Sequence, residues 1–122
     1  ELKEGLNVEF DFSESKKAFE NAVEQLRKNI PHKISLVTLS EYGIFASNGS
    51  DSYYANAHPR DITDVSGAGD TVIATATLCL ICGATIEQIA QVSNIAGGMV
   101  CEKPGVVSIQ LNDLIDEVSE LI

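Results

Sequence analysis

Residues 64–71, Asp-Val-Ser-Gly-Ala-Gly-Asp-Thr, combine a glycine-rich turn with a carboxylate at the start of a long uncharged segment. A tight turn that opens a helix presents unpaired backbone N–H groups, and the helix dipole adds to their attraction for an anion. Asp70 would repel that anion, which is tolerable if the acid performs chemistry beside a phosphate. Asp is also a common helix cap, so the residues alone leave both roles of Asp70 open.

Two known phosphate-binding motifs are excluded. The P-loop pattern G-x-x-x-x-G-K-[ST] is absent from the chain. Gly67 and Gly69 fit the start of the dinucleotide pattern G-x-G-x-x-G, but Val72 stands where its third glycine belongs. What remains is Gly-Ala-Gly-Asp at the start of a helix.

Strands precede this turn in the chain. Residues 34–39 form a β-branched, apolar run that is typical of a central buried strand. Residues 43–47 predict a second strand, and residues 52–57 predict a third after a turn at 48–49. We expect the chain to leave this sheet and continue into the glycine-rich turn.

Helices surround these strands. Residues 1–6 resemble the end of a helix, and a helix capped by Asp11 or Ser13 is predicted over 14–29. The segment 70–82 is apolar on nearly all sides, which predicts a buried helix. A capping box at 85–88 predicts a helix to about residue 100. The last helix, over 111–121, carries an acidic face at 113–120 that we interpret as solvated. The alternation predicts an α/β fold with a sheet between helix layers.

Composition narrows the classes of function. The 122 residues carry a net charge of −10, which disfavours binding to nucleic acid or to an anionic membrane. Cys79, Cys82 and Cys101 stand in apolar surroundings and predict buried thiols in a reducing compartment rather than a metal site. The uncharged run 71–86 is too short and too polar to span a bilayer. No signal peptide is recognised, and we expect a cytoplasmic protein.

The motif at 64–71 resembles the second signature of the ribokinase-like (PfkB) carbohydrate kinases, D-T-x-G-A-G-D-T. Residues 37–43 resemble the nucleotide loop V-T-L-G-x-x-G of that family, with Ser40 in place of its glycine. Residues 93–98 resemble the helix beside adenine, and 103–105 resemble the loop that follows it. The resemblance covers essentially residues 1–122 as the C-terminal part of a three-layer kinase domain, and the sugar-binding part would lie outside them.

The resemblance implies roles for these residues. Asp70 would be the general base for the sugar hydroxyl, and the N–H groups of Gly67, Ala68, Gly69 and Asp70 would form an anion hole for the transferred phosphoryl group. The implied cofactors are ATP and Mg²⁺. The implied nucleotide-site residues are Thr38, Ser40, Glu41, Gly43, Asn94, Gly98, Gly105 and Glu1, the last as the end of an N-x-x-E motif.

Some relatives in this family bind a monovalent cation, and the resemblance implies a K⁺ site formed mostly by backbone oxygens. Its members would be Asp64, Ser66, Val100, Lys103 and Gly105. Asp64 could instead brace the turn, and Asn94 could satisfy a neighbouring backbone group rather than adenine. Arg60 either meets a phosphate or is exposed. The glycines at 97 and 98 cost about 1 kcal/mol each in a helix, which indicates close packing or a close ligand.

Within the family, residues 64–73, the pair 40–41 and the segment 103–106 look most like the heptose-phosphate kinases of ADP-heptose synthesis. That likeness implies phosphorylation of D-glycero-D-manno-heptose 7-phosphate at O1, and an adenylyltransferase is often fused to such kinases. Another sugar or nucleoside kinase is the alternative. Taken by themselves, the 122 residues could also be a nucleotide-binding module without catalytic activity, or a scaffold component of an assembly. An uncovered strand edge and apolar faces predict self-association.

Overall fold

The computed structural model describes residues 1–7, 11–12 and 14–122. These residues form two compact units, 1–35 and 36–122. The helices are α1 (Leu2–Leu6), α2 (Lys16–Asn29), α3 (Ala68–Ile81), α4 (Ile86–Cys101) and α5 (Leu111–Leu121). The strands are β1 (Ser35–Thr38), β2 (Ile44–Ser47) and β3 (Ser52–Ala55), with a 3₁₀ turn at Ser40–Tyr42.

In the first unit α1 packs against α2, and α2 begins later than predicted. Its N-cap is Ser15, whose hydroxyl oxygen accepts the N–H of Ala18 at 3.2 Å. The prediction of Asp11 as the cap is wrong, because its backbone carbonyl accepts the N–H of Ser15 at 2.9 Å in a turn before the helix. Ser13, the other predicted cap, lies outside the described residues.

The three strands form one sheet in the order β1-β2-β3. β2 and β3 are antiparallel, with Phe45 opposite Tyr54, and the side chain of Asn48 accepts two backbone N–H groups in the turn between them. Within the described residues β1 has a neighbouring strand on one side only. The central strand is therefore β2, whose four residues are all buried, and the prediction of β1 as central and buried is wrong.

Helix α4 joins the sheet to the other helices of the second unit. It packs on β2, β3, α3 and α5, and its residues Ile95, Ala96 and Val100 are fully buried. The predicted capping box is confirmed: the side chains of Thr85 and Gln88 each accept the backbone N–H of the other. This helix forms one wall of the site described below.

Helix α3 is far more exposed than its sequence predicts. Only Val72 and Ala76 are buried, because α4 covers a single stripe of the helix. Leu78 is 65% exposed and Ile81 is 76% exposed. The prediction of an all-round buried helix is therefore wrong for the described residues. None of the helices in this part of the chain has the length and apolarity that crossing a membrane requires.

The three cysteines are also less buried than their sequence predicts. Cys82 at the end of α3 is exposed, while Cys79 and Cys101 are half-buried. The prediction of three buried thiols is wrong, because no element among the described residues covers the face of α3 near Cys79 and Cys82. Partial burial nevertheless raises the pKa of the Cys79 thiol, and the nearby Cys82 adds to that rise.

Candidate active site

A cavity of about 820 Å³ opens where the β1–β2 turn, the loop before α3, the first turn of α3 and one face of α4 meet. Small-molecule sites in proteins commonly enclose about 300–1,000 Å³. The cavity brings together eight of the predicted site residues from three separate parts of the second unit: Thr38, Ser40, Glu41, Gly43, Ala68, Gly69, Asn94 and Gly98.

The glycine-rich turn forms the start of α3. Gly67 is its N-cap with a φ of 77°, a backbone conformation that favours glycine. A Cβ at this position would also lie 3.2 Å from a methyl group of Val106. Asp70 is the third residue of the helix, is exposed, and is not the cap. The interpretation of Asp70 as a helix cap is therefore wrong, and its role as a base stays a prediction.

The backbone donors of this turn are mostly available to a ligand. The N–H of Ala68 already donates to the carbonyl of Val65 at 3.2 Å. Across the described part of the chain, no backbone acceptor is found for the N–H groups of Gly67, Gly69 and Asp70. Unpaired N–H groups at a helix start, together with the helix dipole, favour an anion. Three of the four predicted anion-hole donors can therefore serve a phosphoryl group.

Asp64 connects the turn to the loop after α4. Its Oδ1 accepts the hydroxyl of Ser66 at 2.7 Å and the N–H of Ser66 at 2.9 Å, while its Oδ2 accepts the N–H of Gly105 at 3.0 Å. The Ser66 hydroxyl, then the Ser66 and Gly105 N–H groups, hold the pKa of Asp64 below its ordinary value. These bonds favour the alternative in which Asp64 braces the turn.

The residues predicted to hold a monovalent cation fall into two bonded groups. Asp64, Ser66 and Gly105 meet through the bonds just described, and the N–H of Lys103 donates to the carbonyl of Val100 at 3.2 Å. All the candidate ligand atoms are oxygens, the donor type that hard cations take. Their chemistry therefore fits K⁺. Among the described residues, no group of three or more His, Cys, Asp or Glu side chains could hold a metal ion.

The β1–β2 turn supplies the opposite wall of the cavity. Ser40, at the position where the family has glycine, adopts a φ of 53°, which is uncommon for residues other than glycine. The Glu41 carboxylate accepts its own backbone N–H and the Ser40 hydroxyl, and these bonds lower the pKa of Glu41. Ser40 thus adopts a backbone conformation that favours glycine and adds a hydroxyl next to the Glu41 carboxylate at the cavity.

Gly43 closes the same turn. Its carbonyl accepts the N–H of Leu39 at 2.8 Å, and its φ is 98°. A Cβ at this position would overlap the carbonyl oxygen of Ala55 and the nitrogen of Ala57. The close approach of β3 therefore requires glycine here independently of any ligand.

Helix α4 contributes Asn94 and the two glycines. The Asn94 side-chain amide donates to the backbone carbonyl of Asn56 at 2.9 Å, so Asn94 satisfies a neighbouring backbone group as one alternative proposed. A Cβ on Gly97 would lie 2.7 Å from a methyl of Val72, and a Cβ on Gly98 would lie 2.5 Å from the Nε of Arg60. Close packing thus accounts for both glycines.

The interpretation of Arg60 as an exposed residue is wrong. Its side chain is 8% exposed and forms ion pairs with Glu102 and Glu117. The Glu117 hydrogen bond is the main cause that raises the Arg60 pKa above its ordinary value, and the same bond lowers the pKa of Glu117. The acidic face of α5 is therefore not purely solvated. Partners 42 and 57 residues from Arg60 leave no local signal in the sequence.

Glu1 lies in the first unit, directly before α1, and its carbonyl accepts the N–H of Gly5 at 2.8 Å. Its predicted place at the nucleotide site stays a prediction. Lys103 is exposed and follows the end of α4.

Curated relatives match most of this chain in sequence. The Bifunctional protein HldE of Methylobacillus flagellatus is 40% identical over 97 residues, which cover 80% of this chain and 20% of the relative. The Bifunctional protein HldE of Magnetococcus marinus is 41% identical over 101 residues, with 77% and 20% covered. The chain thus spans about a fifth of the length of the curated relatives it matches.

Structural comparison agrees with the predicted fold. Phosphofructokinase-2 from Escherichia coli, solved in complex with potassium, superimposes with a TM-score of 0.86 at 20% identity. The match covers 99% of this chain and 38% of the solved chain. The ribokinase-like α/β fold is therefore confirmed.

The family itself is shown by sequence. Residues 3–112 match the pfkB family carbohydrate kinase, which includes the glycine-rich turn, the β1–β2 turn and α4. The chain therefore belongs to the pfkB family of carbohydrate kinases.

Proposed function

We propose that this chain carries the ATP-binding and catalytic-base part of a sugar kinase whose acceptor is D-glycero-D-manno-heptose 7-phosphate. The observation that carries the proposal is that the 67–70 turn, through Ala68 and Gly69, meets the β1–β2 turn and α4 around one cavity, where the N–H of Gly69 has no backbone acceptor among the described residues. The similarity to two HldE proteins at about 40% identity supports the heptose acceptor.

In this reaction the sugar hydroxyl at O1 attacks the γ-phosphorus of ATP. Asp70 takes the hydroxyl proton, a new P–O bond forms to the sugar, and the bond from the γ-phosphorus to its bridging oxygen breaks to release ADP. The transferred group carries charge through the transition state, which the N–H groups of Gly67 and Gly69 would stabilise. A carboxylate placed beside the acceptor hydroxyl is a common general base in proteins.

Two ions accompany this proposal. Mg²⁺ bound with ATP would neutralise phosphate charge, and it is commonly held by phosphates and water rather than by a protein cage. K⁺ would be held by oxygens of Asp64, Ser66, Val100, Lys103 and Gly105, next to the turn. A fused or associated adenylyltransferase and a cytoplasmic location complete the proposal, and the word bifunctional in the names of the relatives supports the former.

The central test is Asp70→Asn in the complete gene product. A general base commonly contributes about 10²–10⁴-fold to turnover, so kcat should fall by that amount. The affinity for ATP, measured by calorimetry, should stay within about threefold because the backbone donors remain. Asp113→Asn is the matched control, since Asp113 is likewise an exposed acid at the third position of its helix. Unchanged kcat in Asp70→Asn would refute the role of the base.

The acceptor is tested with a substrate panel. Heptose 7-phosphate should give the highest kcat/KM among heptose 7-phosphate, fructose 6-phosphate, ribose and adenosine. A preference for ribose or adenosine would instead favour the alternative of another sugar or nucleoside kinase within the same family.

A second candidate function applies to the 122 residues by themselves. The cavity lies within residues 36–122, so we propose that the isolated chain binds ATP. We also propose that it transfers phosphate to no sugar, because the resemblance puts the sugar-binding residues outside this chain. Calorimetric titration with ATP and a coupled ADP assay test the two statements separately. ADP production that depends on any added sugar would contradict the second.

A further inference from the structure

Arg60 joins three elements around the site. It lies in the loop before the glycine-rich turn, and its Nη1 donates to Oε1 of Glu102 at 3.0 Å and to Oε1 of Glu117 at 3.3 Å. Its Nη2 donates to Oε2 of Glu117 at 2.5 Å. Glu102 ends α4 and Glu117 lies in α5, so one guanidinium fixes the loop to both helices.

The backbone next to Arg60 is fixed to the same end of α4. The N–H groups of Thr63 and Asp64 both donate to the carbonyl of Cys101, at 2.8 and 3.1 Å. Gly98 leaves room for the Arg60 side chain, because a Cβ there would lie 2.5 Å from Nε and 2.9 Å from Cδ. The loop is thus attached to α4 at two points before it reaches Asp64 and the turn.

Arg60 is poorly suited to bind phosphate itself. Its donors on both terminal nitrogens face two carboxylates, and the cluster of one cation with two anions carries net negative charge. A phosphate would have to displace Glu117 from a two-point contact with the guanidinium. Such bidentate pairs are among the stronger charge-assisted hydrogen bonds in proteins.

We propose that Arg60 is a positioning residue that holds the Gly67–Asp70 turn in its catalytic geometry by tying the preceding loop to α4 and α5. The inference rests on the proposed kinase function of that turn. Asp64 continues the chain of contacts, because it receives its position from Cys101 and braces Ser66 and Gly105. A misplacement of about 1 Å far from the chemistry can cost about 10²-fold in rate.

The test compares Arg60→Gln, Arg60→Lys and Gly98→Ala in the complete gene product. Arg60→Gln should lower kcat by about tenfold or more, with KM for ATP within about threefold, because the β1–β2 turn and α4, which form other walls of the cavity, stay in place. Arg60→Lys should recover only part of kcat, since an ammonium cannot form the two-point contact. Gly98→Ala should act in the same direction by displacing the Arg60 stem.

Arg27→Gln is the control for a general loss of stability. Arg27 also pairs with a glutamate and donates to the backbone carbonyls of two residues, His32 and Lys33, within the first unit. We expect it to lower the melting temperature without lowering kcat below the melting transition. If Arg60→Gln likewise changes only the melting temperature, Arg60 is merely structural and the proposal is overturned.

A thiol measurement tests the positioning role without any kinase assay. In a Cys79→Ala/Cys82→Ala background, Cys101 is the remaining thiol of residues 1–122, half-buried beside the loop. The rate at which this thiol reacts with a disulfide reagent depends on how exposed it is. Release of the loop would speed that reaction.

We therefore expect Arg60→Gln to react several-fold faster than the background protein. A slower reaction would overturn the positioning role. If the wild-type protein phosphorylates no sugar, the proposed function fails, and the thiol rates still decide whether Arg60 holds the loop.

Discussion

The two ends of α3 differ in how much of the chain holds them. At the N-terminal end, Arg60 and Asp64 attach the loop that precedes Gly67 to its neighbours. Arg60 binds Glu102 at the end of α4 and Glu117 in α5, and Asp64 binds the loop at Gly105. At the C-terminal end, Leu78 and Ile81 are largely exposed apolar side chains. One helix therefore combines a turn fixed by contacts distant in sequence with a face that no described element covers.

The difference shows what local sequence does and does not determine. The fixed end was recognisable because glycines and an acid at close spacing have few structural uses. The open face was predicted as buried because the helix is apolar on nearly all sides, but burial requires a partner surface. Within the described residues α4 supplies that surface on one stripe only, at Val72 and Ala76.

The largest effect is expected from a substitution that disrupts the packing of α4 against the N-terminal half of α3. In Gly97→Val the new Cβ would come within 2.7 Å of a Val72 methyl, so α3 and α4 must separate. Overpacking of this kind costs about 1–3 kcal/mol, and we expect the free energy of unfolding in urea to fall by about 3 kcal/mol. Gly5→Ala is the control, because a Cβ there meets nothing within 4 Å. An unchanged urea midpoint would show that α3 is loosely held at both ends.

The next effect concerns pH. Arg60 lowers the pKa of Glu117, so the pair stabilises the fold above the ordinary glutamate value of 4.5, and this stability is lost as pH falls through the lowered pKa. Because Glu117 is 30% exposed, we expect a contribution of only about 1 kcal/mol. Between pH 6 and the acid limit, the unfolding free energy of the wild type should therefore fall by about 1 kcal/mol more than that of Glu117→Gln. Unfolding experiments on both proteins at several pH values measure this difference.

Glu24→Gln is the matched control for this pH experiment. Its ion pair with Arg27 spans one turn of α2, and the Glu24 side chain is about half exposed. We expect the pH profile of Glu24→Gln to follow that of the wild type. If Glu117→Gln follows it as well, the Arg60 cluster does not hold the N-terminal end of α3 energetically.

An effect of similar size and opposite sign is expected at Ser93. Its hydroxyl is fully buried on α4 and has no hydrogen-bond partner among the described residues. Because a buried unpaired hydroxyl is unfavourable, Ser93→Ala should raise the free energy of unfolding by about 1 kcal/mol. Ser47→Ala is the contrasting variant, since the Ser47 oxygen accepts the N–H of Gly49 at 3.1 Å and its loss should destabilise. A destabilised Ser93→Ala would indicate a partner for that hydroxyl.

Most elements could be predicted because their signals are local. The capping box at 85–88 fixed the start of α4, and Asn48 with Gly49 marked the β2–β3 turn. Eight of the residues that line the cavity were named by the resemblance to the kinase family, whose motifs are short and local. The Arg60 cluster could not be predicted, because its acids lie on two helices far along the chain and charged residues on a helix usually face solvent. The exposure of α3 was missed since hydropathy alone cannot supply the covering surface.

The smallest expected effect tests the open end of α3. In Ile81→Glu the charge enters a side chain that is already 76% exposed, so the unfolding free energy of the monomer should change by less than about 0.5 kcal/mol. The sequence predicts self-association through such uncovered apolar faces. Light scattering of Ile81→Glu at micromolar concentration should then give a lower mass than the wild type. A large loss of stability in a protein that is monomeric throughout would mean that another part of the same polypeptide covers this face, and the contrast between the two ends of α3 would disappear.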